Sequence, residues 1–225
     1  MLNNLDDDWQ DIFAAVMDEW DNGTPDAVTL RVEKTSDPAC RMVQGAMVVC
    51  NGDYGRTDWR GINELHTQNG YLVASVAMLN DHFLGGTDAA LRQYVCCHEV
   101  GHGLGLGHTD ESVHNPDLGE CMDYTARPEN NMHPGPANFE LLERMYGNVD
   151  GSSVREDVRE LGEYPREVVV AEGSRERSLD GRRLAGSSAG DEGREWRLLH
   201  RSAGAKHYET DLGNGTKIRR TYLLV

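Results

Sequence analysis

Three histidines and a glutamate stand at spacings that could hold a metal ion and activate water. His98 and His102 are four residues apart, so on a helix they share one face and can grip the same ion. Glu99 follows His98, where a carboxylate can reach a water on that ion without being a ligand. Gly105 lets the chain leave the helix through a backbone geometry costly for other residues, and the turn then delivers His108 as a third ligand. Three neutral imidazoles with one position left open describe a catalytic zinc site rather than a closed structural one. A lone histidine pair would be an ordinary helical pair. The five-position pattern His98, Glu99, His102, Gly105, His108 is far more specific.

That segment resembles the long zinc-binding motif of the metzincin endopeptidases, the clan of matrixins, astacins, serralysins and adamalysins. The resemblance implies a tight turn carrying a methionine beneath the metal, downstream of the third histidine. Cys121-Met122-Asp123-Tyr124-Thr125 follows at a fitting distance, with Met122 as the candidate. By itself a loop methionine is core filler. Tyr124 lies two residues beyond Met122, the spacing seen in astacins and serralysins, so the resemblance gives it the role of stabilising the tetrahedral intermediate. Thr109, directly after His108, departs from the signature of all four families. The resemblance is therefore to the clan and to no one subfamily, although the Leu-Gly-Leu-Gly run is similar to matrixins and serralysins. It covers about residues 5–147.

The elements that must position these groups are partly readable. Asp6 to Asp21 has Trp9, Ile12, Phe13, Val16 and Trp20 on one face at helical spacing, stopped by Asn22-Gly23. Ala27 to Val32 and Gln44 to Cys50 have strand patterns. Gly61 to Thr67 and Tyr71 to Asn80, separated by Gln68-Asn69-Gly70, predict a hairpin. The clan resemblance makes Gly61, Ile62, Asn63, Glu64 and Leu65 an antiparallel edge strand that pairs with extended substrate. Gly85 to Asp88 caps the histidine helix, expected over Asp88 to Gly103, and Pro136 opens a last helix through Tyr146, ended by Gly147. The expected fold class is α+β: a metzincin-like domain over residues 1–147 with a twisted mixed sheet, active-site helix, methionine turn and C-terminal helix. Residues 148–194 have the Gly, Ser, Arg and Glu content of a flexible linker, with one apolar patch at Glu167 to Ala171. Residues 195–225 recover three strand signals, a small β-meander too short for a substantial core of its own.

Charge and cysteines bound the partners and the compartment. Residues 1–150 carry 25 acidic and 8 basic side chains against 13 and 14 in residues 151–225, so the catalytic half is strongly acidic. That argues against nucleic acid and anionic membrane as partners. No apolar run is long enough to insert across a bilayer. Cys40 and Cys50 bracket a strand-like stretch and could close a small loop. A Cys97–Cys121 bridge would staple the histidine helix to the methionine turn, with Cys96 left over or trading places with Cys97. Five reduced thiols are the alternative. Disulfides and clan together point to an extracellular or secretory location, although Met1 to Asp8 has no signal-peptide character. The loop carboxylates are too scattered to form a recognisable site for structural calcium. No motif fixes an oligomeric state.

The expected activity is hydrolysis of internal bonds of a protein or peptide substrate, with one catalytic Zn2+ on His98, His102 and His108, Glu99 as general base and Tyr124 assisting. Two alternatives stand beside it. One is a catalytically silent zinc-containing binding protein of the same fold, which would have no need of Glu99. The other is a zinc hydrolase acting on a non-peptide bond, for which a peptide-pairing strand would have no use.

Overall fold

The computed structural model describes residues 1–147 and 194–225, so the expected linker and its apolar patch lie outside the described residues. In chain order the elements are β1 (Leu2–Asn4), α1 (Gln10–Asp21), β2 (Glu33–Lys34), β3 (Met47–Gly52), β4 (Trp59–Gln68), β5 (Tyr71–Asn80), α2 (Asp81–Leu84), α3 (Ala89–Gly103), α4 (Pro136–Tyr146), β6 (Arg197–Arg201), β7 (Ala205–Gly213) and β8 (Thr216–Leu224). The class is α+β, built on one mixed sheet of eight strands in the order β2-β1-β3-β5-β4-β8-β7-β6. Strands β2, β1, β3 and β5 run parallel, and β5, β4, β8, β7 and β6 alternate antiparallel.

Strand alternation divides the apolar residues between two cores. Met47, Val49, Ala77 and Leu79 face α1 and α3, in a cluster holding Trp9, Phe13, Val16, Trp20, Val95 and Val100. Val48, Cys50, Val76 and Met78 face the opposite side with Trp59, Ile62 and Tyr222. The helical stripe read in α1 is thus the packing face, with Trp20 set edge-on to Phe139 of α4 at 5.7 Å between ring centres. Both hairpins close through two-residue turns, one residue tighter than the expected Gln68-Asn69-Gly70 and Gly213-Asn214-Gly215, because Gln68 and Gly213 join the strands. Asn69-Gly70 and Asn214-Gly215 all have positive φ, which suits the twist of the flanking strands.

Two disulfides are present. Cys40–Cys50, with Cα atoms 6.1 Å apart, ties a loop to β3, and Cys97–Cys121, at 5.9 Å, ties α3 to the segment beneath it. Cys96 is the buried free thiol. Such bridges belong to an oxidising, extracellular-type environment. No helix among the described residues is long and apolar enough to cross a membrane.

Two expectations are corrected. Residues 27–32 form no strand: β1 is only three residues long, and its ladder meets this segment only at Glu33 and Lys34. Ala27, Val28 and Leu30 still pack on the core as extended chain. The second correction concerns Gly61, Ile62, Asn63, Glu64 and Leu65. They lie in β4 as expected, but β4 is not an edge: β5 pairs with one side and β8 with the other, over Trp59 to Gln68. The meander of residues 195–225 cannot bury its apolar side alone, so it extends the main sheet. Ala205, Ile218, Tyr222 and Leu223 are buried there.

The β4–β8 seam holds a buried ion pair. Arg220 Nε donates to Glu64 Oε2 at 2.5 Å, directly across the register, and His66 lies 2.9 Å from the other carboxylate oxygen. Burial pushes the Glu64 carboxyl up, but His66 and Arg220 outweigh it and hold the group below its ordinary value. A depressed folded pKa contributes stability that is whole above the unfolded value of about 4.3 and is lost as pH falls through the folded one. Glu64→Gln should therefore cost about 3–5 kcal/mol at pH 7 in urea denaturation, since it removes the buried carboxylate that Arg220 faces across the register. The deficit should shrink below about pH 4; a deficit independent of pH would contradict this role.

Candidate metal centre

Helix α3 begins at Asp88, whose side chain accepts from Ala90 N–H at 2.6 Å. It carries His98, Glu99 and His102, all buried. The helix ends through paired turns: Leu106 N–H donates to Gly101 C=O at 3.1 Å and Gly105 N–H to His102 C=O at 2.9 Å, with Gly105 at φ +97°. A side chain at Gly105 would be strained, so glycine here is what swings His108 back over the helix end.

The three imidazoles converge. Their Nε2 atoms lie 3.0 Å (His98–His102), 3.2 Å (His98–His108) and 2.9 Å (His102–His108) apart. The opposite nitrogens face acceptors only. His98 Nδ1 is 2.6 Å from Cys121 C=O, His102 Nδ1 is 2.9 Å from Leu106 C=O, and His108 Nδ1 is 2.9 Å from the Glu111 carboxylate. Each Nδ1 therefore carries the proton and donates. Burial, above all, drives all three histidines toward the neutral form: His98 and His102 fall well below their ordinary value and His108 to about 4. Three neutral rings with protonated Nδ1 turn three Nε2 lone pairs toward one point. Lone pairs repel one another, and a cation is the partner that satisfies all three. The donor set fits a metal ion.

Glu99 lies on the same helix with neither carboxylate oxygen partnered by a protein group, fully buried. Burial raises its pKa well above the ordinary carboxylate value. Its room comes from Gly61 of β4: a Cβ there would sit 2.4 Å from Glu99 Oε1. Asn63 Nδ2 donates to the Glu99 backbone carbonyl at 3.0 Å, registering β4 against α3. A buried carboxylate without a protein partner is a second orphaned polar group on α3, adjacent in sequence to His98.

Beneath the histidines runs the Cys121-Met122 turn, held by Thr109 N–H to Met122 C=O at 2.9 Å and Tyr94 hydroxyl to Asp123 C=O at 3.0 Å. Met122 is fully buried and packs on α3 where Gly101 has no side chain; a Cβ at Gly101 would meet its sulfur at 2.3 Å. The Cys97–Cys121 bridge fixes the carbonyl that orients His98. Tyr124 hydroxyl lies 2.9 Å from His108 Nε2, so it reaches the same point as the lone pairs.

Of the residues singled out in the sequence, His98, His102 and His108 converge, Tyr124 reaches His108, Met122 packs under α3 at Gly101, and the Glu99 carboxylate lies against Gly61 of β4. Sequence reading missed Glu111, an acid in a polar loop with no motif to mark it. Glu111 receives His108, and also His200 Nε2 at 2.7 Å and His207 Nε2 at 3.3 Å from the C-terminal strands. Burial raises its pKa, but hydrogen bonds from His108 and His207 outweigh that and hold it ionised. Gly61 was expected to meet substrate and instead makes space for Glu99.

No family model matches the chain, and no curated protein or solved structure matches it. The chemistry is therefore read from the geometry. Because Glu111 fixes the proton and orientation of His108, Glu111→Gln should lower metal affinity by about 10–100-fold in competition with a chelating dye. Unchanged affinity would remove Glu111 from the support of the site.

Proposed function

We propose that the chain is a zinc-dependent endopeptidase of the metzincin clan. The observation that carries this is the convergence of three imidazole Nε2 atoms on a helix that also carries a buried, unpartnered carboxylate next to the first of them in sequence. The zinc identity rests on the donor set, since three imidazoles with an open position suit that ion. When bound there, zinc lowers the pKa of water and polarises a carbonyl.

The chain's own groups then have defined work. Glu99 accepts a proton from the water whose oxygen attacks the peptide carbonyl carbon. It delivers that proton to the departing amine nitrogen as the C–N bond breaks, so acid and amine products balance. The Tyr124 hydroxyl, directed at the same point as His108 Nε2, donates to the oxygen on which negative charge develops. Met122 supports α3 and the Cys97–Cys121 bridge holds that support in place, without chemistry.

A silent zinc-containing binding protein is the second reading, and one observation favours it: the outer side of β4 is filled by β8. Against it stands Glu99, a buried carboxylate that costs stability and serves nothing in a binder. A non-peptide hydrolase is distinguished only by its substrate.

Zinc-loaded protein incubated with casein tests this reading. Cleavage should be lost on chelation, and Glu99→Ala should reduce it by about 10^2–10^4-fold. Tyr124→Phe should cost on the order of a hundredfold. Cleavage undiminished in Glu99→Ala would reject the mechanism. One zinc bound with no cleavage by any form would favour the silent binder.

A further inference from the structure

Resting on that reading, we propose that the C-terminal strands are a built-in inhibitor of the site. Strand β8 takes the backbone-pairing side of β4 that an extended peptide needs, and the β6–β7 corner closes the mouth above the histidines.

Four observations meet here. First, β8 pairs with β4 along its length, and Leu223 lies opposite Gly61, the residue against which the Glu99 carboxylate rests. A peptide reaching Glu99 by pairing with β4 would have to occupy the place β8 holds. Second, the β6–β7 turn sits on the catalytic tyrosine. A Cβ on Gly204 would lie 3.4 Å from the Tyr124 ring, Leu224 N–H is bonded to Gly204 C=O at 2.7 Å, and Ala205 shares one core cluster with Met122 and Tyr124. Third, Glu111 works as a clasp. The carboxylate that orients His108 also receives His200 at 2.7 Å and His207 at 3.3 Å, and the His207 ring centre is 5.0 Å from that of His108. Fourth, Glu99 and His98 have no exposed surface, and His102 and Tyr124 are 3% and 2% exposed. No peptide bond reaches Glu99 while the strands lie in place.

Side-chain contacts across the seam can be weakened one at a time. Beside the backbone ladder, which runs from Trp59 with Leu224 to Gln68 with Thr216, side-chain fastenings join the strands to the rest of the fold, among them Arg220 to Glu64, Lys206 to Asp58, and the histidines on Glu111. The site therefore has a closed state populated in the resting chain and an open one reached by lifting β8 from β4, and a change that weakens the seam shifts the balance.

Full-length zinc-loaded chain tests this. Arg220→Glu sets a second buried carboxylate against Glu64, and His200→Ala loosens the clasp without touching the ligands. Casein cleavage and hydrogen exchange of the β4 amides are read together. Arg220→Glu should speed β4 exchange and raise cleavage about tenfold or more over wild type, with His200→Ala intermediate. Adding Glu99→Ala to Arg220→Glu should abolish the gain. If Arg220→Glu also loses protection in α3, it has unfolded and His200→Ala alone carries the comparison. Faster β4 exchange with Glu99-dependent cleavage no faster than wild type would overturn the inhibitor and leave the peptidase standing. No Glu99-dependent cleavage in any form, with β4 released, would remove the peptidase reading and the inhibitor with it.

Discussion

Each of the three imidazoles gives its Nδ1 proton to a fixed oxygen, and the rest of the site follows from that constraint. A histidine whose Nδ1–H is committed can present only a lone pair at Nε2, and its ring can turn little about that bond. The three oxygens come from three different structural devices. Cys121 C=O is set by a disulfide and the turn around Met122, Leu106 C=O by the glycine turn at the end of α3, and Glu111 by the loop that meets the C-terminal strands. Much of the fold around α3 therefore serves to hold three acceptors in place.

The same burial that orients these groups destabilises the site when it holds no ion. Three Nε2 lone pairs converge with only the Tyr124 hydroxyl within reach of one of them, and Glu99 is enclosed with no protein partner. Each such group costs free energy that only a cation and its water restore. Ion binding should thus be coupled to the order of α3, the Cys121-Met122 turn and the β6–β7 corner, because binding free energy at a buried site is also folding free energy. This coupling would give the C-terminal strands a physical link to an ion bound there: they hold Glu111, Glu111 holds His108, and His108 Nε2 points to where the other two converge.

What could be read in the sequence was what local chemistry dictates. The stripe of Trp9, Phe13, Val16 and Trp20, the Asp88 cap, the Gly105 exit and the Asn69-Gly70 and Asn214-Gly215 turns are each decided within a few residues, and each is present. The histidine spacing likewise needed only helix geometry. Pairing between distant strands has no such local mark. Residues 27–32 have strand character but no neighbouring ladder to join, and β4 looked like an edge because its outer partner arrives some 150 residues later in sequence. Glu111, His200 and His207 were illegible for the same reason: a loop acid and two strand histidines become a cluster only when the tail folds back.

X-ray absorption at the zinc edge of the loaded full-length protein tests the proposed centre most directly. Three imidazole nitrogens and one light-atom ligand at about 2.0–2.1 Å, with the scattering pattern of ordered histidine rings, are predicted. In His108→Ala the ring scattering should fall from three imidazoles to two. A sulfur shell near 2.3 Å, or three-ring imidazole scattering retained in that variant, would contradict a centre built on His98, His102 and His108.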